Sequence, residues 1–261
     1  MSDQKTATVH FGANRIATNF TNHLSDPLTK ALLATSTRVI SRKEYVEHFR
    51  AAMVAAEKLG LGLLQGLIEP LLKGNEALDD FRHIVISEHA LLGPVDDMLT
   101  QKTMFPKAKR RVQNIDRAFT DRALNFHLAI APQAECWAGL LADDDVAPKH
   151  ADAPPPVHSW AQLVSRITQA SPRANVTVWD FERPNSVMLP FLAALLSLDP
   201  DQLDAQTQYN VEENACDQLK QAKLLSKIIQ IDKELQTRMD ARYELDLAAI
   251  AAMPNVSLVR G

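Results

Sequence analysis

The stretch Thr8-Val9-His10-Phe11-Gly12-Ala13-Asn14-Arg15-Ile16-Ala17-Thr18-Asn19 decides how this chain reads. An apolar, β-type run ends in a glycine and enters a helical pattern through a basic residue and a threonine, the order of a strand, a loop and a helix start. A turn at Gly12, a cation at Arg15 and free amides with the Thr18 hydroxyl at a helix N-terminus are the ingredients of an anion cradle. Unpaired N–H groups and the helix dipole both favour negative charge there. The spelling departs from the nucleoside-triphosphate loop GxxxxGK[ST], because no lysine precedes Thr18 and Ala17 stands where a glycine would sit. An ordinary strand-to-helix turn is the competing reading of the same residues.

Outward from this stretch, strand and helix patterns alternate. Helical periodicity covers residues 19–35 and then 42–60, where Tyr45, Phe49, Met53 and Ala56 recur at spacings of three and four. His83-Ile84-Val85-Ile86-Ser87 reads as the second strand, continuous in hydrophobicity as a strand covered on both faces should be. A basic helix over residues 107–120 leads to a third strand, Leu124-Asn125-Phe126-His127-Leu128-Ala129-Ile130, closed by Pro132 and followed by a helix through Cys136 and Trp137. Residues 143–158, with three consecutive aspartates and three consecutive prolines, form no core element and read as a mobile surface loop. Ser159 with Gln162 fits a capping box opening a helix to Ser171, and Val176-Thr177-Val178-Trp179-Asp180-Phe181 is the fourth strand. From Asn214 onward Leu224, Ile228, Ile231 and Leu235 keep a 4-3-4 spacing, which predicts a long amphipathic helix before residues 243–253 and the stop at Pro254.

Such alternation predicts an α/β fold: an open parallel sheet of P-loop type flanked by helices, with a long C-terminal helical segment, in one domain over residues 1–261. In these sheets ligands bind beyond the carboxyl ends of the strands. The ends of the first two strands therefore matter most, Gly12 to Thr18 after one and Ser87-Glu88-His89 after the other.

Composition narrows the function classes. The chain has 261 residues, 46% hydrophobic and 23% charged, with a net charge of -4, which is globular and gives no overall attraction to a nucleic-acid backbone. No apolar run reaches the roughly 18–20 residues of a membrane span and the first eight residues are polar, so a cytoplasmic protein without membrane association is expected. Cys136 and Cys216 lack any CxxC or histidine partner spacing and read as small core residues. The eight histidines show no HExxH or clustered spacing, so no metal is expected, and His10 and His127, inside strand runs, read as sheet histidines. Trp137, Trp160 and Trp179 read as core, and no G-x-S-x-G elbow of a serine hydrolase is present.

The segments TVHFGANRIATNFTNHL, IVISEHALLG, LNFHLAIAPQAECWAG, WAQLVSRITQASPRANVTVWDFE and ARYELDLAAIAAMPNVSLV follow in the order and rough spacing of bacterial sulfotransferase-like proteins. Over nearly its whole length the chain resembles that family, whose members use 3'-phosphoadenosine 5'-phosphosulfate (PAPS). The first segment is similar to the family's phosphosulfate loop GxxKxGT, with Arg15 in place of lysine. The resemblance implies that Gly12, Ala13, Asn14, Arg15, Ile16, Ala17, Thr18 and Asn19 hold the phosphosulfate of PAPS as sulfuryl donor, and that Glu88, or else His89, is the catalytic base for a small-molecule hydroxyl acceptor.

Chemistry asks for the same parts: a base for the acceptor proton and positive charge on the transferring group. The plain alternatives for Glu88 and His89 are a solvated strand-end carboxylate and a histidine capping the next helix.

The chain departs from the family where an arginine and a serine bind the 3'-phosphate. It has Ile130-Ala131-Pro132 at the first position and Ala138-Gly139 at the second. A lost charge-assisted contact is worth roughly 1.5–3 kcal/mol. The cluster Lys107, Lys109, Arg110 and Arg111 compensates only if its helix faces the site, and a basic run is usually a solvated face. The runner-up function is thus a catalytically inactive sulfotransferase-fold protein that binds a small anion, a nucleotide or a protein partner. A nucleotide-dependent kinase is disfavoured by the missing lysine, with Asp180 the only aspartate placed for a metal.

Overall fold

A computed structural model describes residues 4–12, 24–45, 47, 50, 81–93, 97–98, 101, 103–141, 159–210 and 233–261. Its centre is an open sheet of six strands, β1 (Thr6–Gly12), β2 (Thr37–Ile40), β3 (His83–Ser87), β4 (Ala123–Ile130), β5 (Asn175–Asp180) and β6 (Val256–Arg260), in the order β2-β3-β1-β4-β5-β6. Every neighbouring pair is parallel. The helices that position the sheet among the described residues include α1 (Asp26–Ala34), α2 (Arg42–Glu44), α3 (Ala108–Ala118), α4 (Gln133–Leu141), α5 (Trp160–Ala170), α6 (Pro184–Leu196) and α7 (Lys233–Ala251). The α/β fold expected from the alternation is present, with a helix at the C-terminal end as anticipated. Among the described residues no helix is long and apolar enough to cross a membrane.

The pleat sorts the strand residues between two cores. Ala7, Val9 and Phe11 of β1, Ile84 and Ile86 of β3, and Leu124, Phe126, Leu128 and Ile130 of β4 join α3, α4, α5 and α7 in one cluster. Val85, Ala129 and Trp179 face the other way, onto Leu28 and Leu32 of α1 and the apolar face of α6. Trp137, Trp160 and Trp179 all lie in these cores, as expected.

Two strands escape the sequence reading. Thr37–Ile40 is β2, so His83–Ser87 is third in the chain rather than second, and Val256–Arg260 adds an edge strand beyond Pro254. Both are edges of the sheet, where one side carries no strand and the apolar pattern weakens accordingly: β6 has no buried residue. Asn255, at φ 61°, turns the chain into β6. Residues 13–23, 51–80, 142–158 and 211–232 lie outside the described set, and with them most of the predicted 42–60 helix, the predicted 143–158 loop, Cys216 and the first part of the C-terminal amphipathic segment.

Local signals are answered by distant residues. Ser159 is the N-cap of α5 and accepts the Gln162 amide at 3.1 Å, as its spacing predicts. A second partner is invisible in the sequence: Asp246 of α7 accepts the Ser159 hydroxyl at 2.6 Å and the Trp160 amide at 2.7 Å. The α5 N-terminus is thereby tied to α7 across the core, two otherwise orphaned groups being satisfied by one buried carboxylate.

Candidate functional site

β1 occupies the interior of the sheet, between β3 and β4. Its outgoing connection contains α1, which packs on one face, while β3 and β4 lead into α3, α4 and α5 on the other. This divergence is a topological switch point, and the crevice beyond such strand ends is where open parallel sheets take ligands. Gly12 is the last residue of β1, in register with Ala129.

Of the predicted phosphate-cradle residues, Gly12 stands at this crevice. Ala13, Asn14, Arg15, Ile16, Ala17, Thr18 and Asn19 lie outside the described residues. The helical pattern predicted from residue 19 takes shape as α1 from Asp26 onward, and its N-terminus is occupied. Ser25 caps it, accepting the Leu28 amide at 3.1 Å, and an acidic residue opens the first turn. The Ser25 hydroxyl in turn donates to Asp204, and its amide donates to the Thr207 hydroxyl at 3.1 Å. The Leu28 and Thr29 amides of the first turn are therefore already used within the helix start, and Pro27 has no N–H to offer.

Glu88 follows β3 directly. Its amide donates to the His10 carbonyl at 3.3 Å, which continues the parallel ladder for one step and pins Glu88 beside β1. Ser87 is in register with His10, so Glu88 lies level with Phe11, and one strand spacing plus one residue rise puts its Cα about 6 Å from that of Gly12. The side chain is not a solvated strand-end carboxylate, since Glu88 is only 5% exposed. His89 opens a 3-10 turn, His89–Leu92, which ends at Gly93 with φ 138°, a conformation that favours glycine. β3 stops at Ser87, so strand alternation does not fix the faces of Glu88 and His89.

Behind this rim runs a buried polar row that the sequence concealed. His10 and Ser87 touch through Nδ1 and Oγ at 2.8 Å, and His10 meets the Phe191 ring edge-on at 4.9 Å. His127, in register with His10, accepts the Trp179 indole N–H on Nδ1 at 3.0 Å, so its proton resides on Nε2. As expected, both are sheet histidines. Each lies inside a strand run, but only the strand order reveals that they are neighbours.

Burial, aided by the positive charge of His83, pushes the His127 imidazole down to about 4. His83 is lowered too, by burial and by Arg122, against the raising effect of its contact with the Leu195 carbonyl. A histidine buried in its neutral form binds its proton more readily when unfolded. Its stabilisation is therefore intact above the unfolded value near 6.5 and is lost as pH falls toward 4. Unfolding free energy measured by urea titration is expected to fall between pH 6.5 and 4 by roughly 3 kcal/mol from His127 alone, at about 1.4 kcal/mol per unit. A His127→Gln variant should show a shallower slope over this interval whatever its absolute stability, and an unchanged slope would contradict the assignment.

The remaining positions are quickly placed. Ala131, where the family would carry an arginine, is fully buried, and its carbonyl accepts the Trp160 indole N–H at 3.0 Å. Cys136 is free, its thiol pushed up to about 12 by burial and by the charge of Glu135, which makes it inert. In the basic cluster, Lys107 pairs with Asp97 at 2.8 Å and Arg111 donates to the Leu91 carbonyl at 3.3 Å, which engages both with the segment after β3.

Asp180 at the end of β5 was singled out only as a metal candidate. It accepts the Tyr243 hydroxyl at 2.5 Å, the Glu182 amide at 3.0 Å and Arg260 Nε at 3.1 Å. Burial and the Asp180 charge raise the Tyr243 phenol, which stays protonated and donates. Among the described residues no group of three or more histidines, cysteines or acids is arranged to hold a metal ion. No protein-family model, curated protein or solved structure matches this chain.

Proposed function

We propose that this protein is a sulfotransferase-like enzyme of the cytoplasm that moves a sulfuryl group from PAPS to the hydroxyl of a small-molecule acceptor. The observation that carries the reading is the juxtaposition of Gly12 and Glu88 at the switch point, with the Glu88 amide bound to the β1 backbone. The loop from Gly12, with Arg15 and Thr18, supplies the positive charge and amides for the phosphosulfate. The Glu88 carboxylate receives the acceptor's proton. PAPS, when bound, supplies an activated sulfuryl group whose departure leaves a stable phosphate. Not all of that nucleotide is provided for: at the β4 end Ala131 has no polar side chain and its carbonyl is already taken by Trp160. That observation favours a second reading, in which the fold is kept for nucleotide or anion binding without turnover.

The deciding experiment is calorimetric titration with 3'-phosphoadenosine 5'-phosphate beside adenosine 5'-phosphosulfate, which lacks the 3'-phosphate. Both are expected to bind, with a preference for the 3'-phosphorylated nucleotide below about tenfold, or 1.4 kcal/mol. Binding of neither would overturn the proposal. A strong preference would show that a charge other than one at Ala131 reads the 3'-phosphate, and the basic cluster at Lys107, Lys109, Arg110 and Arg111 would be the first to substitute.

A further inference from the structure

The last step of β3 is held to β1 by one residue. His10 accepts the Glu88 amide on its carbonyl at 3.3 Å, and its imidazole Nδ1 meets the Ser87 hydroxyl at 2.8 Å. Two consecutive residues at the end of the neighbouring strand are thus tied to the same β1 residue, one through the main chain and one through the side chain. Beyond this point the chain turns: β3 ends at Ser87, and the Leu91 amide already donates to the Glu88 carbonyl at 3.2 Å. Glu88 is therefore the corner residue between a strand and a turn, where pairing is ordinarily least protected.

The imidazole is itself fixed from behind. His10 is fully buried, and the Phe191 ring of α6 meets it edge-on at 4.9 Å. Phe191 is held in turn by Trp179 and Phe181, whose rings cross it at 5.4 and 5.3 Å. This face of the sheet carries an apolar core around Val85, Ala129, Phe191 and Leu192, which an apolar residue at position 10 would extend without desolvating a polar ring. What an apolar residue cannot supply is the directional bond to Ser87. Satisfied hydrogen bonds between buried side chains rigidify the elements that carry them and specify one arrangement.

We propose that His10 is a positioning residue for Glu88: its bond to Ser87 locks the corner of β3 against β1 and so sets where Glu88 stands relative to the loop that begins at Gly12. The assignment rests on reading Glu88 as the base of sulfuryl transfer. A base works only within hydrogen-bond reach of the proton it takes, and a misplacement of about 1 Å costs on the order of a hundredfold in rate. Fully buried, the imidazole acts through Glu88 and not on the substrates.

Variants of the full chain separate this role from packing. His10→Leu keeps much of the volume and removes the bond, Ser87→Ala removes the partner, and His10→Asn offers an amide donor or acceptor where Nδ1 stands on a smaller side chain. Hydrogen exchange at the Glu88 amide, read by NMR without any substrate, is expected to quicken by about tenfold or more in His10→Leu and Ser87→Ala and to stay near wild type in His10→Asn. Packing alone predicts the reverse order of the two His10 variants, and that order overturns the proposal. Ser87→Ala, the smallest change, carries the test if His10→Leu does not fold. The second readout is release of 3'-phosphoadenosine 5'-phosphate from saturating PAPS with water as the acceptor, the sulfuryl group leaving as sulfate. Its kcat is expected to fall about tenfold or more in His10→Leu and Ser87→Ala, with nucleotide Kd within about threefold of wild type, and to recover in His10→Asn. Combined with Glu88→Gln, His10→Leu costs nothing further, because a positioning residue has no effect once the group it positions is gone. Additive losses overturn the proposal. A wild type that neither binds the nucleotide nor turns PAPS over overturns the sulfuryl-transfer reading instead, and the exchange order then decides the coupling of His10 to Glu88 by itself.

Discussion

Trp160→Ala is expected to destabilise the protein by about 3–5 kcal/mol, the range for removing a large buried aromatic, and to lower its melting temperature by on the order of 10 °C. Trp160 is 1% exposed and sits at the first position of α5, where three separate structures meet. Its ring fills the core between α5 and the sheet, its indole N–H donates to the Ala131 carbonyl at 3.0 Å, and its own amide is held by Asp246 of α7. Alanine keeps the amide bond and loses the other two contributions. Trp160→Phe separates them: most of the ring volume remains while the Ala131 carbonyl is stranded, at a cost of roughly 1–3 kcal/mol. Chemical denaturation of the two variants beside the wild type measures both terms. A loss below about 1 kcal/mol for the alanine variant would mean that Trp160 is not packed as described.

The same residue shows what the sequence makes legible. Trp160, Leu163, Val164 and Ile167 recur at helical spacing behind a serine cap, so α5 and its buried face follow from local pattern. Asp246 does not, because its contribution spans 86 or 87 residues and has no local trace. The strands divide in the same way. His83–Ser87 and Ala123–Ile130 are covered on both faces and read as continuous apolar runs. Thr37–Ile40 is only four residues long and Arg38, paired to Glu44, interrupts its strand-forming residues, so the run is too short to announce a strand.

At the site, parallel topology alone puts Gly12 and Glu88 on one rim, and that much was legible. Whether Glu88 is solvated or buried depends on the sheet order, which places β3 directly beside β1. The Asp180, Tyr243 and Arg260 triad joins residues 63 and 80 positions apart, and depends on an edge strand that the sequence pattern did not announce.

With a hydroxyl acceptor identified, Glu88→Gln is expected to reduce turnover by roughly 10²- to 10⁴-fold while leaving nucleotide affinity nearly unchanged. The substitution preserves volume and removes the proton acceptor, a distinction that matters because Glu88 is buried and a smaller side chain would disturb packing as well as chemistry. Its melting temperature controls for the fold. Substrate and donor are held at saturation, so that a change in kcat reads the chemical step rather than binding. His89→Ala serves as the comparison: His89 begins the 3-10 turn one residue beyond, and the two positions share the crevice entrance without sharing the bond to the His10 carbonyl. If Glu88 takes the acceptor proton, the deficit belongs to Glu88→Gln and shrinks as the acceptor's own hydroxyl becomes more acidic, since an easily ionised acceptor needs a base less. Unchanged turnover in Glu88→Gln excludes it as the base. A deficit in His89→Ala alone transfers the role to the imidazole, and the deficit should then follow histidine ionisation rather than carboxylate ionisation in the pH profile of kcat.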